Sequence, residues 1–289
     1  MDDRTSREQL EMRTYWIDAH HHLWHYKKAE YPWMSEKMAV LRQNFTTDDL
    51  EKVAHNCSVE GTVAVQARQI LEETQFLLNA AADCPLIRGV VGWVPLVDGD
   101  VEVHLERYSQ NKLLKGIRHV LHDEADPLYM LREDFNAGID LLRKYDLRYD
   151  LLIFAKHLPQ TIRFVDRHLD QIFVVDHIAK PAIVDGQIAQ WRIGIQALSR
   201  RENVFCKLSG MITEANWRSW TTAQLRPYFD VVLEAFGPSR LMFGSDWPVM
   251  TVASRYEDWI AAVSDILGEL SDDEANSIMR GTATRTYRL

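Results

Sequence analysis

Apolar and β-branched runs recur along the chain, each bounded by turn residues and each followed by a segment of helical period. The runs fall at 14–18 (TYWID), 61–67 (GTVAVQA), 87–95 (IRGVVGWVP), 114–121 (LKGIRHVL), 147–153 (LRYDLLI), 171–179 (QIFVVDHIA), 203–210 (NVFCKLSG) and 240–248 (RLMFGSDWP). Between and after them, helical spacing predicts helices over 48–57, 72–83, 102–111, 134–145, 158–169, 188–200, 223–236 and 256–267. A ninth is expected over 271–283, opened by the capping-box pair Ser271 and Glu274. Near-continuous apolar stretches such as IFVV fit parallel strands covered by helices on both faces. Strands alternating with helices in this number predict an α/β fold, a single (β/α)8 TIM barrel. The alternative, an open doubly wound sheet, usually carries GxGxxG after its first strand, and this chain has none. No Pro/Gly/Ser-rich linker, low-complexity stretch or repeat interrupts the pattern, so one domain is expected over 1–289. The stretch 25–47, with Tyr31-Pro32-Trp33-Met34, is long for a strand-to-helix loop and is expected to fold over the barrel mouth.

Composition narrows the class. Of 289 residues, 46% are hydrophobic and 26% charged, which suits a soluble globular chain and excludes disorder, collagen and coiled coil. The 33 basic against 42 acidic residues give a net charge of −9, and no basic patch offsets it, so no nucleic-acid partner is expected. No apolar run reaches the roughly 18 residues of a membrane span. The polar N-terminus, MDDRTSREQLEMR, lacks the apolar stretch of a signal peptide. Cys57, Cys84 and Cys206 are odd in number and widely spaced, with no CxxC, which reads as reduced thiols in a cytoplasmic protein. Oligomeric state leaves no mark in the sequence.

In such a barrel the chemistry belongs at the C-terminal ends of the strands. The first ends in Asp18-Ala19-His20-His21-His22-Leu23-Trp24, with four histidines in the six residues 20–25. Simple alternation puts Asp18, His20 and His22 on one face and His21 on the other. Imidazoles at i and i+2, about 6–7 Å apart at Cα, can grip one metal ion or one substrate oxygen. The sixth strand ends in Asp176-His177-Ile178-Ala179-Lys180, charged groups that are costly to bury without partners. The eighth ends in Gly244-Ser245-Asp246-Trp247. Each alone also reads as a solvated loop or a cap. Convergence of these strand ends on one cavity is the stronger signal.

Read together, IDAHHHLW, YPWM, VAVQAR, VVGWVPL, GIRHVLHDEAD, VVDHIAKP, VFCKLSG and RLMFGSDWPV, in order from Ile17 to Val249, resemble the amidohydrolase superfamily in its lactonase-like amidohydrolase 2 branch. The nearest likeness is to sugar-acid lactonases of the L-fucono- and L-rhamnono-lactonase type. The resemblance implies water-mediated opening of a lactone, with His20, His22, His177 and Asp246 catalytic. Asp246 would be the general base and later protonate the leaving ring oxygen. The histidines would hold a metal or polarise the carbonyl. As ligands, His20, His22, His177 and Asp246 suit a single divalent ion, zinc above others, dispensable for an ester as activated as a lactone. Two-metal relatives use a carboxylated lysine at the end of the fourth strand, whereas Lys115 lies near its start, roughly 10–15 Å from the mouth. Asp18 is placed either to orient a first-strand histidine or to stand as a solvated or capping aspartate.

The other strand ends supply Gln66, Arg68, Arg118, His119, Lys180 and Lys207, and Trp24, Trp33, Trp93 and Trp247 lie near the mouth. Cations gathered at one mouth of an acidic protein suggest an oxygen-rich or anionic ligand, while ion pairs with Asp123, Glu124 and Asp176 are the plainer account. Tryptophan faces pack on sugar rings or simply line the wall. The expected function is therefore hydrolysis of a sugar-acid lactone. Alternatives are a dicarboxylate-lactone or amide hydrolase, a decarboxylase on the same scaffold, and a barrel that only binds its ligand.

Overall fold

The computed structural model describes residues 15–289, so the polar N-terminus read above lies outside the described residues. Each predicted strand segment overlaps one strand: β1 (Trp16–His21), β2 (Val59–Val65), β3 (Ile87–Gly92), β4 (Leu114–His119), β5 (Arg148–Leu151), β6 (Phe173–Val175), β7 (Val204–Leu208) and β8 (Leu241–Phe243). They pair in parallel and in chain order. The helices are α1 (Thr47–Asn56), α2 (Leu71–Asp83), α3 (Val101–Ser109), α4 (Glu133–Leu142), α5 (Leu158–Val165), α6 (Ala189–Leu198), α7 (Thr222–Phe236) and α8 (Tyr256–Leu267). This is a (β/α)8 TIM barrel. The chain's apolar runs read as strands because both faces are covered: one by the barrel interior, the other by the helices.

The seam that closes the ring sits at the mouth. β8 is short, and the bridge to β1 is made beyond it, between His21 and Trp247. Asp246 N–H donates to the His20 carbonyl at 2.8 Å, and His22 N–H to the Trp247 carbonyl at 2.7 Å. The backbone bonds that shut the barrel thus also set Asp246 against the first-strand histidines.

The interior is a packed core, not a pore. Ile17, Ala19, Val63, Val65, Val91, Val174 and Met242 fill it, with Ala283 and Tyr287 plugging its lower end. Those last two come from the C-terminal segment, which is not the single helix expected over 271–283. It runs as α9 (Asp272–Asn276), a π turn at Ser277–Gly281 and α10 (Thr282–Tyr287). The capping box of Ser271 and Glu274 opens it. The stretch 25–47 folds as two 3-10 turns, Lys28–Glu30 and Glu36–Leu41. Paired backbone bonds between Trp24 and Phe45, 3.0 and 2.9 Å, tie its ends together. Glu30 in it reaches across to Arg68 at the end of β2.

Two elements depart from simple patterning, and both build the site. β1 carries a bulge: Asp18 pairs with Thr62 but His21 with Ala64, three steps against two. Ala19 and His20 therefore both turn inward, His21 turns out with Ala64, and His22 returns inward. Asp18 lies on the opposite face from His20 and His22, which corrects the alternation expected above. β6 stops at Val175 rather than running to 179. His177, Ile178, Ala179 and Lys180 follow in the left-handed region, with φ of 55, 49, 62 and 47°.

Candidate active site

Four side chains from three strand ends meet at the mouth. His20 Nε2 lies 3.2 Å from His22 Nε2 and 3.8 Å from Asp246 Oδ1. His22 Nε2 and His177 Nε2 lie 3.4 and 3.9 Å from that same oxygen. All four residues are buried, Asp246 being only 4% exposed.

The far side of each ring fixes which nitrogen faces the centre. His22 Nδ1 lies 2.7 Å from the Val65 carbonyl, which can only accept, so the proton is assigned to Nδ1 and Nε2 is left to the site. His20 Nδ1 lies 3.2 Å from Asp176 Oδ1, and Arg118 Nη1, which can only donate, lies 3.3 Å from its Nε2. Lys207 Nζ, a second donor, also lies 3.2 Å from Nδ1; with the Nδ1 proton assigned to Asp176, Nε2 is the lone pair that faces Arg118. His177 Nδ1 bonds Ser209 Oγ at 2.8 Å. Asp18 orients no imidazole: it accepts from the His20 N–H, the Ser245 N–H and hydroxyl, and the Tyr256 hydroxyl. It locks the bulge of β1 to the loop that carries Asp246. Asp176, the Val65 carbonyl and Ser209 do the orienting instead.

Electrostatics follow from burial and neighbours. Burial holds the His20 imidazole well below its ordinary range against the pull of Asp176. Burial lowers His177 to about 4, against Asp246 and Asp176. Both rings are neutral at pH 7. Burial would raise the Asp246 carboxyl, but His177, the His22 bond and His20 outweigh it and hold it well below the usual carboxylate range. Lone pairs and an ionised carboxylate therefore converge, and the centre calls for a positive charge among them, a proton or a metal ion. The tetrahedral edge for zinc bonds of about 2.0–2.1 Å is about 3.3–3.4 Å, close to the spacings here. His20, His177 and Asp246 offer ligand atoms within 4.8 Å of one another, so the donor set suits a divalent metal ion.

Beneath the centre runs a buried charge network. Lys207, fully buried, lies 2.5 Å from Asp150, 3.0 Å from Asp176 and 3.2 Å from His20 Nδ1. The Tyr287 hydroxyl donates to Asp150. Burial raises Asp150 to about 6, against Lys207. Lys207 is thus placed below the mouth rather than at it. The other expected cations are matched too. Arg118 pairs with Asp176 at 2.9 Å, Arg68 with Glu73 at 2.8 Å and with Glu30, and Lys180 with Glu214 at 3.7 Å. His119 meets Glu124 at 2.6 Å and takes the Trp93 indole N–H. Gln66 Nε2 donates to the Arg118 carbonyl, and its Oε1 is buried without a partner. Trp24 and Trp247 are buried against Phe45, whereas Trp33 is 38% exposed. Lys115 reaches the Arg288 carbonyl, away from the centre.

Residues the sequence reading passed over include Asp150, Ser209, Glu214, Tyr256 and Tyr287, and His122, which stacks on Phe154 at 4.6 Å. Ser209 could have been found, since Ser209-Gly210 follows β7 as Ser245 follows β8. Asp150 and Tyr287 join only through the barrel axis and leave no local signal.

Known proteins resemble this chain along nearly its full length. An L-fucono-1,5-lactonase of Burkholderia multivorans is 39% identical over 285 residues, covering 94% of this chain and 96% of the relative. One of Burkholderia ambifaria is 32% identical over 280 residues, covering 96% of each. A crystal structure of an amidohydrolase from Burkholderia multivorans with bound Zn superposes with a TM-score of 0.91 at 38% identity, covering 96% of this chain and 100% of that one. The amidohydrolase family model matches residues 17–289, a span that holds all but the first residue of the barrel and all four residues of the centre. A TIM barrel whose closing seam gathers three imidazoles and one carboxylate thus meets a match along nearly its full length, and the chain belongs to the amidohydrolase family.

Proposed function

We propose that this hydrolase opens a neutral sugar-acid lactone of the L-fucono-1,5-lactone class, the substrate named for its two Burkholderia relatives. The observation that carries the choice of substrate is the pairing of Arg68, Arg118, Lys180 and Lys207 with carboxylates. No unmatched positive charge remains among them for a dicarboxylate, while the N–H groups of Arg68 and Lys180 suit hydroxyls and the exposed Trp33 indole suits a ring face. Asp246 takes the proton of a water as its oxygen bonds the lactone carbonyl carbon. It returns that proton to the ring oxygen as the ring C–O bond breaks. A carboxylate held so far down is a weak base. That suits an activated ester better than an amide, because the attacking water becomes acidic only as its new bond forms. His20, His177 and Asp246 would hold one divalent ion, zinc by the donor types, with His22 beside them. The ion would supply a Lewis acid that polarises the carbonyl. Lactone strain makes it dispensable in this reading. The whole chain acts as one barrel domain, and its free cysteines fit a cytoplasmic setting.

The test is a pH-indicator assay on purified protein with six-carbon and 6-deoxy 1,5-aldonolactones, δ-valerolactone and a dicarboxylate lactone. Hydroxylated lactones should exceed δ-valerolactone by at least about 100-fold in kcat/KM, since each unmatched hydroxyl strands a site donor at about 1–3 kcal/mol. Equal rates would refute the sugar assignment. Faster turnover of the dicarboxylate would favour the alternative substrate.

A further inference from the structure

Arg118 stands closer to the centre than substrate binding alone requires. Its Nη1 lies 2.9 Å from Asp176 Oδ2 and 3.3 Å from His20 Nε2, and Nη2 donates to the Gln66 carbonyl. The side chain is 3% exposed. Asp176 and the Gln66 carbonyl fix the guanidinium from the protein side, whatever occupies the centre. The remaining contact places a permanent cation on the nitrogen that would ligate a metal ion. One lone pair serves an N–H donor or a metal, not both, and a guanidinium does not give up its proton. In so dry a site the repulsion between a dication and this group is little screened. We propose that Arg118 is a resident cation competing with a divalent metal for His20 Nε2, so that the centre binds its metal weakly and exchangeably. The inference rests on the reading of His20, His177 and Asp246 as the metal-holding set.

The experiment measures Zn²⁺ and Co²⁺ affinity by competition with a chelating indicator, for wild type, Arg118→Gln, Lys180→Gln and His20→Asn. Arg118→Gln should bind at least about tenfold tighter. Lys180→Gln removes a charge of the same sign that pairs with Glu214 instead of touching His20, and should stay within about threefold. His20→Asn should abolish binding at this centre. Tight wild-type binding unchanged or weakened in Arg118→Gln overturns the competition and leaves the metal-holding set standing. No binding in either wild type or Arg118→Gln overturns the set and the competition together. Arg118→Gln leaves Asp176 to Lys207 alone and could fail to fold. Arg118→Lys keeps the charge but not the fork that spans Asp176 and His20, so it too should tighten binding, and unchanged affinity there overturns the proposal.

Discussion

Asp246 is ionised because of its neighbours and despite its burial. The pull of His177, the His22 bond and His20, exerted when a ring carries a proton, outweighs the desolvation that would otherwise protonate it. Asp246→Asn keeps the shape, and its amide N–H can meet a ring lone pair, but it has no charge and takes no proton. Turnover should fall about 10²–10⁴-fold with the far-UV circular dichroism unchanged. Retention of more than about a tenth of the wild-type rate would move the base elsewhere. At this scale residue identity could be read from the chain and orientation only in part. His20, His22, His177 and Asp246 stand out by type and by position at strand ends. Which way each points depended on a bulge that no period-2 pattern discloses. His21, whose two ring nitrogens are buried without partners, is the histidine that the bulge turns away.

The element that delivers His177 is a turn of left-handed backbone, costing roughly 1–2 kcal/mol per residue for side chains with a Cβ. Its hold comes from outside: the Trp191 indole N–H caps the Ile178 carbonyl at 2.7 Å, and Ser209 pins the ring. Gly210 leaves room for that ring. It sits at φ +63°, and a Cβ there would lie 2.7 Å from His177 Cγ and Nδ1. Gly210→Ala is therefore strained twice. It should lose about 1–2 kcal/mol of stability and shift the imidazole, lowering kcat at least about tenfold. Steady-state kinetics and urea melts would show both. A variant with the wild-type kcat would mean that the ring position tolerates the push. The strands and the eight barrel helices were legible because hydrophobic period is a local property. The left-handed turn was not, because Asp-His-Ile-Ala-Lys carries no glycine to announce it. The extra turn structure at the C-terminus was equally hidden, since its shape follows from plugging the barrel.

Across the whole molecule, burial of titratable groups sets the response to acid. Burial lowers His21 to about 3, His122 to about 2 and His177 to about 4, from an unfolded value near 6.5. Between those values and 6.5 the unfolded chain binds the protons that the metal-free folded chain refuses. The stability these histidines contribute is full above pH 6.5 and is lost as pH falls toward 4. Asp150 has the opposite sign. Its folded value near 6 lies above the unfolded 3.8, so the folded chain gains a proton as pH drops through 6. Asp18, also raised by burial, adds in that direction. These three histidines and His20, also held low by burial, set against Asp150 and Asp18, leave the unfolded state ahead by roughly two to three protons near pH 5. Urea denaturation of metal-free protein at pH 7, 6 and 5 should show stability falling by about 3–4 kcal/mol per pH unit near pH 5. Replacing His21 with Leu should remove about one proton from that slope, and by eliminating two unpaired buried nitrogens should raise stability at pH 7 rather than lower it. A slope unchanged in His21→Leu would mean that His21 finds a proton partner when the chain is folded.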